Sequence, residues 1–176
     1  TFEAISGINF DRRGNLYVSE VLSWDNNIGY DFPDAGLIRK ISANTKNISD
    51  PVIYKDFRPT GIAVNSPHVV YFSGRKWSDE SWGNIYKISN FQNDKKRNNP
   101  SIEVADVACT AIATDRWENI FVAPRFDEIN GWPVYGRNPY TGLPVLIATF
   151  SKLIEELTFD TNGNLYAIEA NTGTPD

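Results

Sequence analysis

Few of the 176 residues carry side chains suited to nucleophilic, base or soft-metal chemistry. There is one histidine, His68, and one cysteine, Cys109. A Ser-His-Asp triad needs an oriented imidazole on the active rim, and a multi-histidine metal site needs several, so neither can be assembled within this chain. Cys109 lies between Val107-Ala108 and Ala111-Ile112 and reads as a buried thiol behaving as a small hydrophobe. A single cysteine leaves no intrachain disulfide. Paired Glu155-Glu156 could supply an acid and a base, but neighbours on a strand point to opposite faces, so only one reaches a given site. Asp11, Asp115 and Asp160, with Asn65 at the matching place, recur at one point of a longer pattern. A short carboxylate or amide at a strand-end turn accepts bonds from turn N–H groups, so capping is their expected role. Asn47-Ile48-Ser49 fits the acceptor pattern for N-glycosylation at Asn47.

The elements that would position these groups come from an internal repeat. Gly7-Ile8-Asn9-Phe10-Asp11 is followed by Gly14-Asn15-Leu16-Tyr17-Val18, and Gly61-Ile62-Ala63-Val64-Asn65 by Val69-Val70-Tyr71-Phe72. Ala111-Ile112-Ala113-Thr114-Asp115 precedes Asn119-Ile120-Phe121-Val122, and Glu156-Leu157-Thr158-Phe159-Asp160 precedes Gly163-Asn164-Leu165-Tyr166-Ala167. The aligned aliphatics Ile8, Ile62, Ile112 and Leu157 are spaced by 54, 50 and 45 residues. Asp or Asn follows three residues later each time, and an aromatic (Tyr17, Tyr71, Phe121, Tyr166) nine later. Alternation with period 2 predicts half-buried strands, and the Asp-x-x-Gly-Asn link a tight antiparallel turn. Third strands are expected at Gly36–Ser42 and Gly83–Ser89, and fourth strands at Val52–Lys55 and Ile102–Val104. Four antiparallel strands per roughly 50 residues is the size of one propeller blade. The expected fold is all-β, a single partial β-propeller domain of about three and a half blades over 7–56, 57–107, 108–153 and 154–176. Residues 1–6 read as an outer strand leading into the first unit, and the last unit supplies only two strands.

The links between strands are unequal. First-to-second turns are short (Arg12–Gly14, Ser66–His68, Arg116–Glu118, Thr161–Gly163), whereas second-to-third links are long, about Glu20–Ala35, Gly74–Trp82 and Pro124–Gly142. Four of five tryptophans fall in the long links. Long loops with rigid aromatics, Arg and carboxylates are where binding surfaces are built. The candidate ligand or partner surface is therefore Glu20, Trp24, Tyr30, Arg75, Trp77, Trp82, Arg125, Asp127 and Trp132, with Tyr135 and Arg137 in the same link. His68 falls on the opposite rim.

Composition narrows the partners. Net charge is −5, and the one basic cluster, Lys95-Lys96-Arg97, sits among Asn and Asp, which argues against nucleic acid. No run approaches the ~20 apolar residues of a membrane-spanning helix, so no membrane insertion is expected. No methionine occurs, even at position 1, which points to a processed product or a piece of something longer. With the Asn47 acceptor, this favours a secreted, extracellular glycoprotein.

Asp11–Glu20 and Phe159–Tyr166 resemble the blade motif of the NHL-repeat superfamily, which includes gluconolactonase-like and strictosidine-synthase-like proteins and is mostly six-bladed. Pro59–Val64 followed by Tyr71–Trp77 is also similar to the yellow and major-royal-jelly branch. The resemblance implies that the Gly-Ile-Ala-Val run is the innermost strand of each blade. In the lactonase branch it further implies Ca²⁺ held just before the inner strands, which here means Ser6, Thr60, Thr110 and Glu155, with Glu155 the one carboxylate ligand. Three hydroxyls and a carboxylate make a poor Ca²⁺ cage. The expected function is an extracellular module that binds a small molecule, glycan or protein, or assembles with its own copies or the rest of a larger propeller, through the long-link rim. The alternative is a calcium-assisted, lactonase-like hydrolase with part of its site elsewhere.

Overall fold

A computed structural model describes residues 4–22, 35–48, 52–54, 57–66, 68–76, 83–89, 91, 100–105, 107, 109–124, 131–138 and 140–170. Within these the chain is all-β: fourteen strands make four antiparallel sheets, three of four strands and one of two. The chain divides into two compact units, Thr1–Ala108 and Cys109–Asp176, and the division falls at the end of the second repeat.

The first unit holds two sheets. One runs β1 (Ala4–Phe10), β2 (Leu16–Leu22), β3 (Ala35–Ile41) and β4 (Val52–Tyr54) in spatial order. The other runs β5 (Phe57–Ser66), β6 (Val69–Lys76), β7 (Asn84–Ser89) and β8 (Ser101–Val104). Sequential order with antiparallel neighbours is what short turns and period-2 alternation dictate. The two sheets pack face to face through Tyr17 and Ile38 on one side and Ile62, Val64, Val70, Phe72, Tyr86 and Ile88 on the other, with Phe91 closing the cluster. The Phe91 ring meets Tyr17 edge-on at 5.4 Å, and Phe72 stacks on Tyr86 at 5.1 Å. Gly7 permits the close approach: a Cβ there would lie 3.2 Å from both the backbone N and Cγ2 of Ile62.

The second unit repeats the plan with a smaller second sheet. Its four-stranded sheet is β9 (Cys109–Thr114), β10 (Ile120–Pro124), β11 (Trp132–Arg137) and β12 (Pro144–Phe150), and the two-stranded sheet is β13 (Ile154–Phe159) with β14 (Leu165–Glu169). Ala111, Ala113 and Ala123 present a flat surface on which Ile154 and Leu157 are fully buried, with Phe159, Leu165 and Ala167 at the margin. Phe121 and Phe159 meet edge-on at 4.9 Å.

Three expectations need correction. Ala4, Ile5 and Ser6 belong to the first strand of the first sheet, continuous with Phe10, and not to a separate outer strand. Second, the long link of the third repeat is only 125–131, because Trp132–Arg137 is the third strand, with Val134 fully buried. Pro133 disguised it, since proline normally excludes a central strand. Here β10 pairs with β11 only through Tyr135 and Gly136, so Pro133 owes no N–H to that neighbour. Asn138–Leu143 is a tight turn into β12. Third, Glu20 is a residue of β2, which continues to Leu22, rather than the start of a link.

Candidate functional site

Each sheet has two chemically different ends. At the first-to-second turns, the Asp residues act as turn caps in three of the four repeats. Asp11 Oδ1 accepts the N–H groups of Arg13 (2.8 Å) and Asn15 (2.9 Å), and its Oδ2 accepts the Asn15 amide at 2.7 Å. Asp115 does the same with Trp117 and Asn119, and Asp160 with Asn162 and Asn164. The aromatic six residues on reports to the same carboxylate, Tyr17 to Asp11 at 3.4 Å and Tyr166 to Asp160 at 3.3 Å. Burial, then the Asp11 charge, pushes the Tyr17 phenol far above its ordinary value. The side-chain bond from Asn164, joined by turn N–H bonds, holds Asp160 below the usual carboxylate range. These acids are structural. The exposed His68 lies in the β5–β6 turn at this same end, and Trp117, stacked under Arg116 at 3.9 Å, lies in the β9–β10 turn.

At the other end, where β2, β6 and β10 run into the second-to-third links, the first strand of each sheet carries a β-bulge at one equivalent residue. The pairing skips Ser6, Thr60, Thr110 and Glu155. Sequence periodicity missed these bulges; the signal available was a hydroxyl residue directly before Gly7 and Gly61. Bulges re-aim side chains and concentrate at rims and beside functional sites. In the first unit the re-aimed hydroxyls are occupied. Ser6 Oγ bonds Ser19 Oγ at 3.0 Å and Ser19 reaches the Gly7 carbonyl at 3.3 Å; Thr60, Ser73 and Gly61 repeat the relay at 3.0 and 3.5 Å. In the second unit Ala123 replaces that serine, and the Thr110 hydroxyl turns to the Ile154 carbonyl at 2.5 Å, with the Ala123 carbonyl 3.3 Å away. The Glu155 side chain is exposed, and burial raises the pKa of its neighbour Glu156.

This donor set does not fit calcium. The ion takes six to eight oxygens, mostly carboxylate or carbonyl, whereas the three hydroxyls are already engaged, those of Ser6 and Thr60 within their own sheets and that of Thr110 on the Ile154 carbonyl of the neighbouring sheet. Among the described residues, no group of three or more His, Cys, Asp or Glu stands close enough to hold a metal.

The candidate rim residues divide three ways. Glu20 is completely buried, its carboxylate 2.8 Å from the Arg39 guanidinium, so it belongs to the sheet rather than to an accessible surface. Trp132 opens β11 at the long-link end and is half-buried; Tyr135 and Arg137 lie further along the same strand. Arg75 is in β6, opposite Arg58. Trp24, Tyr30, Trp77, Trp82, Arg125 and Asp127 lie outside the described residues. Asn47 is exposed in the turn after β3, where its carbonyl accepts from Ser42 N–H. Among the described residues no helix is long and apolar enough to cross a membrane. No protein-family model matches the sequence, and no curated protein matches it.

Proposed function

We propose that the four sheets are successive blades of an NHL-type β-propeller, and that the protein is an extracellular binding module whose ligand or partner seats on the long-link rim. The observation that carries this reading is the bulge repeated at Ser6, Thr60, Thr110 and Glu155. It marks the same end of every sheet, the end into which the tryptophan-bearing links run. The opposite end carries short turns, three of which are capped by their own aspartate. Catalysis is a weaker reading because the one imidazole stands at the capped end and the recurrent aspartates are spent on backbone N–H groups. Trp24, Trp77, Trp82 and Trp132 supply rigid contact area of the kind that anchors glycans and protein surfaces.

Glycan and peptide arrays probed with the wild-type chain, a Trp24→Ala/Trp132→Ala variant and a Trp117→Ala variant test the reading. Binding lost in the first variant and kept in the second supports it. Equal binding by all three overturns it, and calcium-dependent lactone turnover would favour the hydrolase instead.

A further inference from the structure

Two Asn-x-Ser/Thr triplets occur in the sequence. Asn99-Pro100-Ser101 is excluded as a glycan acceptor by its central proline, which leaves Asn47-Ile48-Ser49. Ser49 itself lies outside the described residues.

Asn47 closes the turn that follows β3. The Lys46 N–H donates to the Ser42 carbonyl at 2.9 Å, and the Ser42 N–H to the Asn47 carbonyl at 3.0 Å. The Asn47 N–H goes to Thr45 Oγ1 at 3.3 Å, and Lys46 reverses the chain at φ 58°. Asn47 thus spends both backbone groups inside the turn, while its side-chain amide has no partner among the described residues. Asn44 to Ile48 are all exposed, Ile48 at 51%. The turn is also fixed in place. The Ala43 N–H donates to Asn15 Oδ1 at 3.1 Å, and the amide of the same Asn15 bonds the Asp11 cap. Asn47 therefore stands at the capped end of the first sheet. The long-link end is a strand away, seven residues of β3 or about 20 Å.

We propose that Asn47 carries an N-linked oligosaccharide, set on the capped end of the first sheet. In the transfer, Asn47 Nδ2 attacks the anomeric carbon of an oligosaccharide carried on a lipid diphosphate. A C–N bond forms, the C–O bond to the diphosphate breaks with its electron pair leaving on the diphosphate, and the amide gives up one N–H proton. The folded turn holds the product without rearrangement, because the amide is accessible and not held by the fold. A bulky, hydrated chain belongs on the surface. Here it covers Ile48 and the neighbouring capped turn and leaves the long-link end open. The proposal rests on the proposed extracellular location and not on rim binding.

The test is the intact mass of the chain made in cultured animal cells behind a cleavable leader, before and after an amidase that removes N-linked glycans. The mass is read on medium and on cell extract, so a retained chain still answers. Wild type should exceed the 19.8 kDa polypeptide by one glycan and return to it on digestion, with Asp replacing Asn at the attachment point. Asn47→Gln and Ser49→Ala should stay at the polypeptide mass, whereas Ser49→Thr, which keeps the hydroxyl, should carry the glycan. A bare wild-type chain overturns the proposal, and so does a glycan that persists in Asn47→Gln. Trp24→Ala/Trp132→Ala should carry the wild-type glycan. A bare chain that still binds the arrays contradicts this proposal alone, and a glycosylated chain that binds nothing contradicts rim binding alone.

Discussion

The recurrent aspartates show how one side chain can settle both local structure and the limits of chemistry. Each spends Oδ1 on two backbone N–H groups and Oδ2 on an asparagine amide, which locks the turn. Hydrogen bonds to a charged acceptor contribute more than neutral ones, so Asp115→Ala should cost about 1.5–3 kcal/mol in urea unfolding. At the exposed Asp160 the relevant readout is pH. Its folded pKa lies below the unfolded value, so the stabilisation is present above the unfolded carboxylate range and is lost as pH falls through the folded value. Glu156 has the opposite sign: its folded pKa is raised, so stability declines as pH rises from the unfolded value through the folded one. Unfolding curves from pH 3 to pH 7 should therefore show Asp160→Asn losing part of the acid sensitivity, and Glu156→Gln losing the decline on the less acidic side. The turn role was legible in the sequence because Asp, Gly and Asn recurred at fixed offsets. The burial of Glu20 against Arg39 was not, because its ion-pair partner lies nineteen residues away on a neighbouring strand.

Among the strands, the first pair of each repeat was readable from alternation and turn residues, and so were the third and fourth strands of the first two repeats. β11 was not, because Pro133 and Gly136 look like loop chemistry and only the short pairing with β10 makes them tolerable. The bulges left almost no compositional mark, since a one-residue register defect changes no hydrophobic pattern by itself. They nonetheless put Ser6, Thr60, Thr110 and Glu155 at one matching end of their strands and set the phase of Ile5. Close sheet packing next to the first bulge depends on Gly7. Gly7→Ala should destabilise the first unit by about 1–3 kcal/mol, as expected when a methyl is forced into a filled contact. The loss should appear in thermal unfolding, with Gly163→Ala at an open turn as a comparison that leaves the sheet packing intact.

At the scale of the molecule, each unit follows one rule, the first strand of its second sheet seated on an aromatic-bearing face of the first. A propeller and a two-layer sandwich both use antiparallel sheets with alternating burial, so alternation alone does not separate them. The proposed propeller adds a requirement, that the bulged end of every sheet face one mouth. The measurement that tests this most directly is an experimental structure of the assembled protein, by crystallography or electron microscopy. The account predicts β1, β5, β9 and β13 as the innermost strands around a common axis, with Ser6, Thr60, Thr110 and Glu155 at one mouth beside Trp24, Trp77 and Trp132. Sheets stacked in two layers, or bulges opening to different sides, would contradict it.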